Sequence, residues 1–316
     1  MAGEWMGRLP DKAKDVPFFR LAIPGTHDSL SYTISASAPL APDCPTAVRK
    51  MEKMFGAVTR SILYNWSVTQ RLKISDQLRH GIRYLDLRVA MPVDGRDRNS
   101  QPLVVHHLCG TEIGPLLAEV DAFLSAFDQE VVVLDFQHFY NFTSDDHTQF
   151  IKHMQGLFGS RLCPYWPGAP EEITLRWMQA LGHQIVLVYR TDDFQGAPGL
   201  WPGEALPSPW PNVREPRALI GFLERGLVAR DKRRGHVSQC VLTPRTTTVV
   251  PAGMCSNLRR GLVRKCNQAV VPWLGRQSAG TGGINVAIAD FVGVDGCAFV
   301  ETIVQLNFKK FSEKSR

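Results

Sequence analysis

Apolar residues recur along the chain in short runs of strand length. Between the runs they return at helical spacing. The runs cover 21–24, 82–89, 103–106, 130–136, 184–189, 237–243 and 284–291. Several are apolar almost without a break, as parallel strands covered on both faces are. Val48, Met51, Phe55, Val58 and Ile62 predict one helix. Ile113, Leu116, Leu117, Val120, Phe123, Leu124 and Phe127 predict a second, and Phe150, Ile151, Met154, Leu157 and Phe158 a third. Shorter sets follow at Leu219, Ile220 and Leu223, at Leu258, Leu262 and Val263, and at Ile303, Val304 and Leu306. Seven strands alternating with helices give an α/β fold with a parallel sheet, closed either as an open doubly wound sheet or as a (β/α) barrel.

No internal repeat or low-complexity tract is visible. The segments 29–45, rich in Ser, Ala and Pro, and 196–216, dense in Pro, Gly and Trp, read as long loops. Long loops at one end of a scaffold usually carry function. Neither reads as a linker between domains, because strands continue on both sides.

What ends each run is more telling than the run itself. The first leads into Pro24-Gly25-Thr26-His27-Asp28. The second carries Asp86 and Arg88 on one face, with Leu85 and Leu87 on the other. The third ends in His106-His107. The fourth carries Asp135 and then Gln137-His138. The fifth ends in Tyr189-Arg190, and the last in Asp290. In parallel α/β folds sites assemble at the carboxyl ends of strands. Desolvating so many titratable groups at one end is costly unless they serve a purpose.

Composition narrows the class. A chain of 316 residues, 44% hydrophobic and 21% charged, excludes disorder and collagen-like folds. It has room for one barrel domain over 1–316, with a core expected at about 17–308. No apolar run approaches the roughly 20 residues of a membrane span, and the first residues lack the apolar stretch of a signal peptide. A cytoplasmic protein is the expectation. The seven cysteines, odd in number and without a CxxC pair, are expected to be free and mostly buried. A net charge of +6 favours anionic partners: nucleic acid, phosphorylated ligands or an acidic membrane face. No base-reading aromatic set or nucleic-acid motif accompanies it.

Two imidazoles can divide base and acid work near neutral pH. A carboxylate can hold one of them in the right tautomer. An Arg fork suits a phosphate. There is no GxSxG, P-loop or HExxH sequence, so the set suggests phosphodiester cleavage. His27, Asp28, Asp86 and His106 could ligate a cation, but the fixed charge of Arg88 takes that role and repels one. No metal and no cofactor are expected.

At these residues the chain resembles the X domain of phosphatidylinositol-specific phospholipase C, and in particular the animal proteins that carry an X domain and little else. The matching stretches include Leu21-Ala-Ile-Pro-Gly-Thr-His-Asp-Ser29, Trp66-Ser-Val-Thr-Gln70, Gly81-Ile-Arg-Tyr-Leu-Asp-Leu-Arg88, Glu130-Val-Val-Val-Leu-Asp-Phe136, Leu200-Trp-Pro-Gly203 and Ile284-Asn-Val-Ala-Ile-Ala-Asp-Phe291. The resemblance implies a distorted TIM-type barrel and cleavage of phosphatidylinositol to diacylglycerol and an inositol phosphate, with the inositol 2-hydroxyl as first attacking group. By position it implies His27 as general base oriented by Asp290, and His106 as general acid helped by Asp28. It also implies Arg88 on the phosphate, with Asp86 beside it, and Arg190 on the inositol. Calcium-dependent eukaryotic members have a carboxylate in place of Arg88 and an Asn in place of Asp28, so this chain resembles the metal-independent kind. It departs from the pattern at His107, where a Gly usually stands, and at Gln137-His138, where bacterial members have Lys. These departures support an alternative reading, an inositol-lipid-binding protein that turns its ligand over poorly or not at all.

The substrate class implies peripheral contact with a membrane. Basic clusters at Arg225–Arg234, Arg259–Lys265 and Lys309–Arg316, and the tryptophans Trp201 and Trp210, are candidates for it.

Overall fold

The computed structural model describes residues 2–93, 100–166, 170–191, 194, 197–244 and 256–312. Nine strands form one sheet: β1 (Ile23–Thr26), β2 (Tyr84–Ala90), β3 (Leu103–His106), β4 (Leu108–Glu112), β5 (Val132–Tyr140), β6 (Ile185–Tyr189), β7 (Leu200–Trp201), β8 (Val237–Gln239) and β9 (Val286–Ala289). Seven of them run parallel in the order β7-β6-β5-β2-β1-β9-β8, curled into a half-barrel with helices around it. Among the described residues β7 and β8 do not pair. The segment between them lies along β8 instead: Gly235 N donates to Ala205 O (3.0 Å), Val237 N to Pro207 O (2.9 Å) and Thr243 N to Val213 O (2.8 Å).

The period of two along each strand sorts the core into two layers. Leu85, Leu87, Leu134 and Leu187 face outward into a cluster with the helices. Tyr84, Val133, Val186, Val188, Ile23 and Ile288 fill the barrel interior. The core begins before residue 17, because Trp5, Met6, Leu9 and Ala13 join that interior cluster. Gly25 is required where β1 crosses the interior: a Cβ there would lie 2.7 Å from the Tyr84 ring and 2.8 Å from Ile288.

Three expectations change. The run at 103–106 is a strand, but an antiparallel one, paired with β2 and forming a hairpin with β4. A parallel return needs a crossover, usually a helix, whereas this strand turns back beside β2 with Val104 opposite Val89 and Leu103 opposite Ala90. The helix expected from Val48 to Ile62 is two, Thr46–Phe55 and Ala57–Ser67, broken at Gly56 where φ is +46°. Trp201 lies in β7, buried, with its indole N–H on Cys163 O at 2.8 Å, so it does not reach an interface. Six of the seven cysteines are described; all six are free and five are buried, while Cys255 lies outside the described residues, as do Lys314 and Arg316. No described helix is long and apolar enough to cross a membrane.

Candidate active site

Parallel strands together with the antiparallel β3 deliver side chains to one cavity of about 540 Å³. His27 follows β1, Asp86 and Arg88 lie on the inner face of β2, and His106 ends β3. Gln137 and His138 come from β5, and Asp290 follows β9. The rings of His27 and His106 are 6.2 Å apart between centroids. Arg190 is not among the lining residues.

His27 is held from both ends. Its Nδ1 donates to Asp290 Oδ1 at 2.8 Å, which fixes the tautomer by leaving Nε2 toward the cavity. That Nε2 lies 3.2 Å from Asp28 Oδ2 and 3.5 Å from Arg88 Nη2. His106 donates from Nδ1 to the carbonyl of Ser67 at 2.7 Å, and its Nε2 lies 3.1 Å from the same Asp28 Oδ2. One carboxylate oxygen therefore bridges the two Nε2 atoms. The other, Oδ1, lies 2.7 Å from Arg88 Nε.

The charges follow from this geometry. Burial works against the imidazolium of His27, yet Asp28, Asp290 and Asp86 push it up to about 9. Burial lowers His106, and His107 and Arg88 assist, so it falls to about 4 against the pull of Asp28. Burial alone would raise Asp28, but Arg88, His106 and His27 hold it far below the ordinary carboxylate range. Asp86 goes the other way: burial and the Asp28 charge push it up to about 6. Its Oδ2 accepts from Asp28 N at 3.1 Å, while its buried Oδ1 has no hydrogen-bond partner. An unpaired buried acceptor facing a cavity suits a hydroxyl donor on a ligand. His27, Asp28 and Asp86 also present one donor atom each within 4.8 Å of one another, a set that could hold a metal ion, but Arg88 already contacts two of the three.

The stretch 66–70 braces the end of β1. Thr69 Oγ1 donates toward the carbonyls of His27 (3.0 Å) and Asp28 (3.1 Å). Gln70 Nε2 donates to those of His27 (3.1 Å) and Ala289 (2.8 Å), joining β1 to β9. Such bracing is needed because the backbone is strained here: Asp28 has φ +40°, His107 +59° and Phe291 +48°. Each left-handed non-glycine residue costs about 1–2 kcal/mol. At His107 that is the conformation a glycine would take freely. Asp43 compensates by accepting the His107 N–H at 2.9 and 3.0 Å, and the ring packs 4.7 Å from His106 with Nδ1 3.2 Å from Ser67 Oγ.

Arg190 lies beside the cavity, its fork bidentate on Asp135 (2.8 and 2.7 Å), with further bonds to the carbonyls of Gly203 and Leu206. Asp135 also accepts from Tyr84 Oη at 2.7 Å, and Gln137 Nε2 donates to that oxygen at 3.1 Å. Trp210 stacks over His27 at 5.5 Å and 29°. Asp43, Ser67, Tyr84 and Trp210 were not singled out for the site in the sequence. Ser67 acts mainly through its carbonyl, and the others come from loops or read as ordinary core positions.

No family model matches the chain. In fold it is similar to the phosphatidylinositol-specific phospholipase C of Listeria monocytogenes, with a TM-score of 0.62 at 17% identity over 96% of this chain and 98% of that one. It is likewise similar to the Staphylococcus aureus enzyme, with a TM-score of 0.64 at 16% identity over 96% and 97%. The fold is thus that of the phosphatidylinositol-specific phospholipases C. In sequence the chain is 37% identical over 305 residues to mouse PI-PLC X domain-containing protein 2, covering 96% of this chain and 87% of that protein. It is 34% identical over 306 residues to mouse PI-PLC X domain-containing protein 3, covering 96% and 93%. Human PI-PLC X domain-containing protein 1 is 30% identical over 310 residues, covering 97% and 92%. The chain belongs to the family of PI-PLC X domain-containing proteins.

Proposed function

We propose that the protein cleaves phosphatidylinositol at a membrane surface, without a metal ion, by transfer of a proton between two imidazoles. The observation that carries this is Asp28 Oδ2 lying 3.2 Å from Nε2 of His27 and 3.1 Å from Nε2 of His106, with Arg88 on its other oxygen. His27 Nε2 takes the proton of the inositol 2-hydroxyl, which attacks phosphorus. His106 Nε2 gives a proton to the diacylglycerol oxygen as its bond to phosphorus breaks. A cyclic inositol phosphate remains, which water can open by the reverse roles. Arg88 meets the phosphoryl oxygens, and Asp86 Oδ1 is free to accept from an inositol hydroxyl.

The surrounding carboxylates hold the His27 imidazolium up to about 9 while burial pushes His106 down to about 4, so protonation is favoured on the ring that serves as base. An incoming phosphate competes with Asp28 for Arg88, and its negative charge favours a protonated His106. The bridging carboxylate then offers the route by which the proton crosses. Asp290 keeps His27 in the tautomer whose Nε2 faces the substrate.

The same inverse protonation favours a second reading, a protein that holds inositol lipids with little turnover. Release of labelled inositol phosphate from phosphatidylinositol vesicles separates the two. We expect product in the presence of chelator, reduced about 10²–10⁴-fold in His27→Ala. Flotation with vesicles and no product would establish the binding reading instead. Activity abolished by chelator would remove the metal-free mechanism.

A further inference from the structure

We propose that a second cavity, sharing a wall with the catalytic one, takes the phosphorylated headgroup of an anionic membrane lipid other than the one being cleaved. This cavity measures about 650 Å³. Arg71, Arg259, Arg260 and Arg264 line it, with Tyr64, and among its described lining residues the one carboxylate is Asp295. None of the four guanidinium groups bonds or pairs with another described residue. Other basic residues differ: Lys265, next to Arg264 in sequence, meets Glu215 at 3.5 Å, and elsewhere Arg233 and Arg234 share Asp231 at 3.3 and 3.7 Å. Four like charges turned on one hollow repel one another, and a phosphomonoester reverses that, since each guanidinium pairs with two of its oxygens. The hollow is larger than a lone phosphate needs and has room for a substituted ring.

The two cavities share a wall. Trp66 and Thr69 line the catalytic side, while Asn65 and Val68 line the arginine side. Leu258 lines the first, and Asn257 and Arg259 the second. Asp290 and Phe291 divide in the same way, across a left-handed turn in which Phe291 N donates to Thr69 O at 2.6 Å. A catalytic cavity that receives a bilayer lipid must face the bilayer, and its neighbour then faces the headgroup layer with it. The inference rests on membrane docking of that face and not on turnover.

The test uses the His27→Ala chain, so that no probe is consumed, and a triple variant in which Arg259→Gln, Arg260→Gln and Arg264→Gln are added. Co-sedimentation is measured on phosphatidylcholine vesicles carrying phosphatidylinositol 4-phosphate, and on others carrying phosphatidylserine to the same total charge. We expect about tenfold tighter binding to the first, lost in the triple variant. Equal binding to both vesicles, or a triple variant that keeps the preference, overturns the proposal. Tight binding of soluble inositol polyphosphate with no vesicle preference overturns the lipid assignment. With His27 intact, the three Arg substitutions should leave cleavage of a monomeric short-chain phosphatidylinositol unchanged; its loss would overturn the separation of the two cavities.

Discussion

Asp28 has the most crowded position in the chain. Its backbone is left-handed, its N–H is taken by Asp86, and its two oxygens serve Arg88 on one side and both imidazoles on the other. The consequence is measurable as a pH profile. The base must be deprotonated and the acid protonated at once. With His27 held up to about 9 and His106 pushed down to about 4, that pairing is a small and constant fraction between those values, so kcat/KM should stay flat across neutrality and fall only below about 4 and above about 9. Replacing Asp290 by Asn removes one of the carboxylates that hold the proton and should move the upper limb toward neutrality. A kcat/KM that changes about tenfold per pH unit between 6 and 8 would contradict this ordering of the two rings. That His27, His106, Arg88 and Asp290 meet in one cavity was legible because each lies at or near the end of an apolar run, and so many polar groups at one end have few structural excuses together. Asp43 was not, since nothing in a Pro-rich loop marks it as the acceptor for His107 N. Nor was the stacking of Trp210 on His27, which depends on how a long loop folds back.

The paired helices Thr46–Phe55 and Ala57–Ser67 pose a different question. The first buries none of its side chains, although its apolar residues recur at helical spacing and Lys50 and Lys53 sit among them. Met54 is 73% exposed, Phe55 58% and Val58 51%. The pair is nonetheless tied together, by Thr59 Oγ1 on Met51 O at 3.2 Å and by Arg60 on Glu52 at 2.8 Å. Apolar side chains held out in a fixed turn beside cations match the requirements of an interfacial helix. Met54→Ser with Phe55→Ser should weaken flotation with phosphatidylinositol vesicles about tenfold or more, from roughly 1.5 kcal/mol of apolar transfer per large side chain. Cleavage of a monomeric substrate should be unchanged, and an equal loss in both assays would count against interfacial docking. The spacing of Val48 to Ile62 was enough to predict helix. It did not reveal the break, because a single Gly is tolerated in many helices, and it did not reveal which face meets protein, because periodicity is blind to what covers a stripe. The strands β4 and β7 escaped notice for simpler reasons: one mixes Gly, Thr and Glu, and the other is two residues long.

Considered whole, the molecule is pinned at its base by an ion pair with no exposure to solvent. Arg83 Nε and Nη2 lie 2.8 and 2.7 Å from Glu130 Oε2. The remaining donors of Arg83 reach the carbonyls of Leu78, Ile82 and Gly3, and its guanidinium lies 4.7 Å over the Phe123 ring. Glu130 in turn accepts from Met6 N (3.3 Å) and Gly7 N (2.9 Å), which fastens the N-terminal segment under the barrel. Removing one partner strands a buried charge. Glu130→Ala should cost about 3–5 kcal/mol in denaturant unfolding, and pairing Glu130→Leu with Arg83→Met should recover much of it. A single substitution costing under about 1 kcal/mol would contradict this. In the sequence both residues looked like the polar starts of apolar strands, and only the fold reveals that they meet. The parallel α/β sheet was legible, from runs buried on both faces, while its curling into a barrel was implied only by the family resemblance. Its incompleteness was not, because whether two edges pair depends on what the chain between them does.

The residues from Pro202 to Val213 stitch the unpaired margin of β8, are tethered by Arg190, and carry Trp210 over His27. One ribbon therefore both darns the gap in the wall and roofs the chemistry. The sheet cannot part along that gap without unroofing His27.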